Sequence, residues 1–210
     1  MSVLMEISEF LQKGRANEIQ EAIKKALEEN ISAKDILEQG MMHGMDIIGD
    51  KFSKNEIFVP DMLIAARAMT AGLEILKPYL IEQDVENKGT VILGTVKGDL
   101  HDIGKNLVKI MLEGKGFEVI DLGIDVPKEK FVEQANEFNA KIIALSALLT
   151  TTMQEMQEVV KAFKEAGLRD KVKIMIGGAP VTDKFREEIG ADLYAPDAAQ
   201  AANVALEAVK

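Results

Sequence analysis

The 210-residue chain is 47% apolar and 29% charged, which suits one large domain or two small ones with a real core and excludes a disordered chain. Its net charge of −10 repels nucleic acid, whose binding rests on lysine and arginine neutralising phosphates. With no cysteine, it has no disulfide, no thiolate zinc site, no iron–sulfur ligand and no thiol nucleophile.

No apolar run approaches the roughly 20 residues a membrane span needs. The opening MSVLMEISEFLQKGR lacks a basic n-region and a cleavage pattern, so a cytoplasmic location is the expectation. Residues 1–82 read as all helix. Ile19, Ala22, Ile23, Ala26 and Leu27 form a helical stripe. Ser32 with Asp35 reads as an N-cap opening a third helix, which carries Ile36, Leu37, Met41, Met45, Ile48 and Phe52. Pro60 suits the first turn of a fourth helix, which should weaken at Pro78. Four helices with short connections predict a small bundle. Residues 83–89 (QDVENKG) are polar and aperiodic, and read as a linker.

From residue 90 the texture changes. Strands are predicted at 90–96, 117–122, 141–146, 172–176 and 192–194. Helices are predicted at 103–115, 127–139, 152–166 and 179–189, with a last one capped by Asp197. This alternation predicts an α/β domain over residues 90–210, a five-stranded parallel sheet in the flavodoxin-like, Rossmann-type manner.

In such sheets ligands sit beyond the carboxyl ends of the strands. Three loops there are unusual. The first is Gly98-Asp99-Leu100-His101-Asp102-Ile103-Gly104, holding one of only two histidines. A single histidine beside carboxylates can give one axial bond to a metal whose other ligands come from elsewhere; read alone, His101 equally suits a loop histidine with no ligand. The second loop, SALLTTT, offers the hydroxyls of Ser146, Thr150, Thr151 and Thr152. The third, Gly177-Gly178-Ala179, allows close approach of a bulky group, with YAPDA (Tyr194 to Ala198) beside it. Read alone, Asp99 and Asp102 also suit plain helix N-caps, and Thr152 suits a cap for the helix it opens. A phosphate-binding P-loop fails, because five residues separate Gly98 from Gly104 and Asn106 stands where a Ser or Thr is required. A phosphoacceptor domain fails because strand three ends without an aspartate.

The first loop resembles the D-x-H-x-x-G signature of cobalamin-binding proteins. Ser146-Ala147-Leu148, Gly177-Gly178 and Tyr194 to Ala198 follow in the family's order, and NEIFVP with Ala65-Ala66-Arg67-Ala68-Met69 resembles its helical cap. The chain is similar to the B12-binding module of cobalamin-dependent methionine synthase, and more so to free-standing corrinoid proteins of methyltransferase systems. The resemblance implies that cobalamin or a related corrinoid is the cofactor, with His101 as lower ligand to cobalt, Asp99 bonding the far imidazole nitrogen and Thr152 completing the relay. It implies Ser146 and Thr150 at the nucleotide tail, with Gly104, Gly177 and Gly178 leaving it room and Tyr194 and Ala198 near its end. Gly98, Asp102, Ile103 and Leu148 would line the same site. Phe58 would cover the upper corrin face, aided by Met62 and Met69. Read from the residues alone, Met41, Met42, Met45, Met62 and Met69 are all core filler, and His43 is a helix residue with no metal role.

The resemblance further implies a methyl carrier. A substrate-specific methyltransferase would methylate Co(I). A second would take the methyl group from methyl-Co(III) to tetrahydrofolate or a thiol coenzyme. A reductive activase joins the expected partners, and nucleic acid and membrane do not. Protonation of the Asp99–His101 pair would weaken the cobalt bond, and residues 83–89 would hinge the cap. The alternative function is a corrinoid-dependent sensor, which would normally carry a DNA-binding module ahead of the cap.

Overall fold

Helix-forming stretches of period 3.6 fill the first part of the chain and β-branched runs of four to six residues punctuate the second, and the molecule divides accordingly. The computed structural model describes residues 2–82 and 88–210. It separates into two compact units, residues 1–86 and 87–210. Residues 83–87 of the expected linker lie outside the described residues. Lys88 and Gly89 already belong to the second unit: the Lys88 N–H donates to the Gly116 carbonyl and the Glu118 N–H to the Gly89 carbonyl.

The first unit is helical. It comprises α1 (Val3–Gln12), α2 (Ala16–Glu28), α3 (Ala33–Asp35), a π-helical segment (Ile36–Met42), α4 (His43–Ser53) and α5 (Val59–Glu82). The Ser32 hydroxyl caps α3 by accepting from the Asp35 N–H at 3.0 Å. The expected third helix is thus continuous from Ala33 to Ser53 but interrupted by a stretch of wider π winding. Gly40 in this stretch and Gly44 at the start of α4 lie against α1. A Cβ on either would come within about 3.0 Å of Ile7 or of the Ser8 carbonyl. The fourth helix does not weaken at Pro78 but runs on to Glu82. Proline costs only its own N–H bond and a clash one turn back, which a helix about to end tolerates. Ile7, Leu11, Ile19, Ile23, Met41, Met45 and Leu76 are among the buried side chains.

The second unit is a five-stranded parallel sheet in the order β2-β1-β3-β4-β5. The strands are β1 (Thr90–Thr95), β2 (Glu118–Asp121), β3 (Ile142–Ser146), β4 (Lys173–Gly177) and β5 (Leu193–Tyr194). The helices are α6 (Ile103–Gly114), α7 (Lys128–Glu137), α8 (Met153–Glu165), α9 (Asp183–Ile189) and α10 (Ala198–Ala208). Ile92, Ile143 and Ile174 face Phe131, Val160 and Phe163 in one buried layer. Helices α6 and α10 pack together, and α7 and α8 do so separately. Helix α9 begins at Asp183 rather than 179, because Thr182 caps it at the Phe185 N–H and Pro180 lies in the loop ahead. The paired ends Thr95↔Ser146 and Ser146↔Gly177 bring three strand termini to one edge.

Candidate corrinoid site

Strand β1 delivers the chain to that edge, and hydrogen bonds from neighbouring strands fix the loop that follows. The Val96 N–H donates to the Ser146 carbonyl, and Val96 bridges to Val126. A tight turn then closes through the Asp99 N–H to the Val96 carbonyl at 3.1 Å. Gly98 sits inside this turn at φ +78°, a conformation that favours glycine. Its N–H donates to the Asp125 carboxylate at 2.7 Å, and the Asp125 N–H donates to the Asp99 carbonyl at 3.0 Å.

Asp99 is fully buried, and five donors converge on its carboxylate. Oδ1 accepts from the His101 N–H at 3.1 Å and meets the His101 ring at Nδ1 at 2.7 Å. Oδ2 accepts from the Leu148 N–H at 2.8 Å, the Leu149 N–H at 3.2 Å and the Thr152 hydroxyl at 2.7 Å. Burial raises the Asp99 pKa, but bonds from Thr152, His101 and the backbone of Leu148 and His101 outweigh it and hold the carboxyl well below the usual range. It is therefore an anion at neutral pH and a pure acceptor. The proton of the neutral imidazole must then sit on Nδ1, leaving Nε2 with a free lone pair. The His101 side chain is 51% exposed, so that lone pair is available.

Neither aspartate is a side-chain N-cap. Asp102 occupies the cap position of α6 without a capping bond, and its Oδ2 accepts from the Asn106 side chain at 3.1 Å. Thr152 likewise stands at the cap of α8 with its hydroxyl turned to Asp99 and to the Leu149 carbonyl at 2.9 Å. The single hydroxyl hydrogen favours the charged, nearer acceptor.

Around His101 the surface is apolar. Leu100, Ile103, Ile124, Leu148 and Leu149 are all exposed, Ile103 to 71%. Large aliphatic side chains clustered on three neighbouring loops mark a site for an apolar ligand. Among the described residues, no group of three or more His, Cys, Asp or Glu side chains is placed to hold a metal ion. The edge therefore offers one nitrogen ligand set in an apolar bed. That donor set fits a metal carried within a large, flat, mostly apolar macrocycle.

The expected site residues fall into three groups. Asp99, His101, Leu148 and Thr152 form one hydrogen-bonded cluster, with Gly98, Asp102, Ile103 and Gly104 on the same loop. Ser146, Gly177 and Tyr194 end the adjoining strands, and Thr150 is exposed on the second loop. Ala198, the first residue of α10, is buried. Phe58 and Met62 belong to the helical unit. Phe58 is 68% exposed, and its N–H donates to the Asp61 side chain at 3.0 Å. Met62 and Met69 are buried.

The glycines differ. A Cβ on Gly104 would meet nothing within 4 Å, whereas one on Gly178, at φ +134°, would lie 1.9 Å from the Ala147 carbonyl oxygen. Gly178 is thus required by the protein's own backbone, and Gly104 by no protein neighbour. Three participants have no counterpart among the residues expected from sequence: Asp125, the Leu149 amide, and Thr95, whose hydroxyl donates to the His101 carbonyl at 2.9 Å.

Comparison with known proteins gives the family of the chain. Residues 89–203 match a family described as B12 binding domain, and residues 3–77 match a second family of the same description. Dimethylamine corrinoid protein 1 of Methanosarcina mazei is 42% identical over 206 residues, 98% of this chain and 95% of that protein. Trimethylamine corrinoid protein 1 of Methanosarcina acetivorans is 46% identical over 180 residues, 85% of this chain and 83% of that one. The crystal structure of the methanol:cobalamin methyltransferase complex MtaBC from Methanosarcina barkeri matches with a TM-score of 0.85 and 30% identity, covering 99% of this chain and 79% of that one. A cobalamin-binding protein from Desulfitobacterium hafniense DCB-2 matches with a TM-score of 0.84 and 34% identity, covering 99% and 98%. The chain belongs to the B12-binding corrinoid proteins of methyltransferase systems.

Proposed function

We propose that this protein is a methyl carrier, which holds a corrinoid for a substrate-specific methyltransferase and then for a second one that moves the methyl group to tetrahydrofolate or a thiol coenzyme. The observation that carries the reading is the Asp99–His101 pair: an exposed imidazole with Nδ1 tied to a buried anion, set among exposed aliphatic side chains. A bound corrinoid would supply a cobalt centre able to take up and give up a methyl group. His101 would hold it through Nε2. Asp99 fixes the tautomer and makes the ring a better donor, and Thr152 with the Leu148 and Leu149 amides fixes Asp99. Leu100, Ile103, Ile124, Leu148 and Leu149 would exclude water from around His101 once the group is bound. Ser146, Thr150, Gly177, Tyr194 and the open space at Gly104 accept the nucleotide tail.

The kinship with dimethylamine and trimethylamine corrinoid proteins and with the MtaBC complex supports a methylamine or methanol methyltransferase as first partner. A reductive activase would restore cobalt lost to oxidation. Among the described residues no helix is long and apolar enough to cross a membrane. The test is methyl uptake. The reconstituted, reduced protein, offered methanol or a methylamine with the matching methyltransferase, becomes methylated, and the apoprotein does not. Failure with the whole panel of donors and methyltransferases would overturn the carrier reading.

A further inference from the structure

The ring of His101 is oriented by Asp99, but a ligand that must reach a metal also needs its main chain held. The loop from Lys97 to Asp102 leaves β1 and is largely exposed apart from Asp99. Its ring-side anchor, Asp99 Oδ1, accepts both from the His101 N–H and from the ring, so ring and amide share one atom. The His101 carbonyl has a separate partner. The Thr95 hydroxyl, on a fully buried residue at the end of β1, donates to it at 2.9 Å across six residues.

Thr95 is well placed to act as a fixed post. Its backbone is committed elsewhere: its N–H donates to the Gly123 carbonyl and its carbonyl accepts from the Val126 N–H, both at 3.0 Å. Its strand neighbour in register is Ser146. The residue is therefore held on both sides by the sheet, and only the hydroxyl points to the loop's function. A valine would serve the strand equally well by shape and by β-propensity, so the strand alone does not call for a hydroxyl.

We propose that Thr95 is a positioning residue for cobalt ligation, holding the His101 main chain at its carbonyl while Asp99 holds the amide and the ring. The inference rests on reading His101 as the lower ligand, and goes beyond the Asp99 and Thr152 relay by adding an anchor on the opposite side of the histidine. Without the hydroxyl, the loop samples positions in which the Asp99–His101 contact is open, and the free imidazole drifts to its preferred Nε2–H tautomer. A neutral hydrogen bond of ordinary strength corresponds to about a five- to tenfold change in population.

The test compares Thr95→Val, which keeps the shape, with Thr95→Ser, which keeps the hydroxyl. One readout needs no cofactor: the ring-nitrogen resonances of His101 in the apoprotein report the Nδ1–H fraction. The other is the electron paramagnetic spectrum of protein loaded with cob(II)alamin, which reports the fraction of cobalt bearing a histidine nitrogen. The expected result is a five- to tenfold fall in the ratio of ordered to disordered forms in both readouts for Thr95→Val, with wild-type behaviour for Thr95→Ser. A Thr95→Val protein that matches wild type in both overturns the inference, as does a Thr95→Ser protein that is equally impaired. If wild-type protein shows no histidine nitrogen on cobalt, the ligand assignment itself fails, while the apoprotein spectra still decide whether Thr95 holds the loop.

Discussion

Replacing Asp99 with asparagine separates the charge of this residue from its shape. An asparagine has one acceptor oxygen and one donor NH₂, where the carboxylate has two acceptors. If the amide nitrogen takes the Oδ2 position, it faces the Leu148 and Leu149 N–H groups, two donors with nothing to accept. If it takes the Oδ1 position, it faces one such donor, the His101 N–H, and the imidazole ring. The ring can answer by moving its proton from Nδ1 to Nε2 and accepting at Nδ1. The second orientation therefore costs less, and it puts a proton on the nitrogen assigned to cobalt. The lost charge-assisted bond is worth about 1.5–3 kcal/mol. That is roughly a 10- to 100-fold loss of the ligating form, the range expected when the outer partner of a metal-bound histidine is removed. Ring-nitrogen spectra of the apoprotein read the tautomer, with exposed His43 as the internal reference. Corrinoid titration reads the affinity. An Asp99→Asn protein that keeps Nδ1–H and binds corrinoid as tightly as wild type would refute the tautomer argument.

Other expectations follow from the same contacts. Lys105 is 2% exposed and bonds Asp121 at 2.6 and 2.7 Å and Asn106 at 2.8 Å. With Asp121 partly open to water and Lys109 3.8 Å away, Lys105→Met should lower denaturant stability by about 2–3 kcal/mol, below the cost for a fully buried pair, and a change under about 0.5 kcal/mol would contradict this. Burial raises the Asp121 pKa, but the Lys105 bond, the Gly123 N–H and the charges of Lys105 and Lys109 lower it further. A folded pKa below the unfolded one gives stability that is fully present above roughly pH 4 and lost as pH falls through the folded value. Lys105→Met should flatten that acid limb in urea titrations across pH. Gly104→Ala should leave apoprotein stability unchanged or raise it by up to about 1 kcal/mol, while corrinoid affinity drops; unaltered affinity would show that the open space is not used. Gly178→Ala should cost the apoprotein more than about 2 kcal/mol, from the positive φ and the Ala147 carbonyl, and calorimetry showing no loss would contradict the packing.

The parts of this molecule legible in the sequence are those that side-chain type and period control. Strict alternation of β-branched runs with amphipathic stretches sufficed for the sheet, and five strands sufficed for its order. The D-x-H-x-x-G loop marked the histidine and its carboxylate. Backbone partners were not legible, because the Leu148 and Leu149 amides that hold Asp99 carry no signature of their own. Asp125 was hidden for a related reason. It lies in a loop between β2 and α7, at φ +53°, and its link to Gly98 exists only after the sheet sets β2 beside β1. Thr95 reads as an ordinary strand residue until the path of the following loop shows where its hydroxyl points. The π segment and the helix through Pro78 depart from local preference, which is all that a short window of sequence displays.

The proposed function requires a bond from His101 Nε2 to cobalt. Protein labelled with ¹⁵N only at histidine, reconstituted with cob(II)alamin, tests it through the nitrogen splitting in its paramagnetic spectrum. In wild type the threefold pattern of ¹⁴N should become the twofold pattern of ¹⁵N, and that twofold pattern should be absent in His101→Ala. A threefold pattern untouched by the histidine label would mean that the cofactor's own base holds the metal, and would contradict the account.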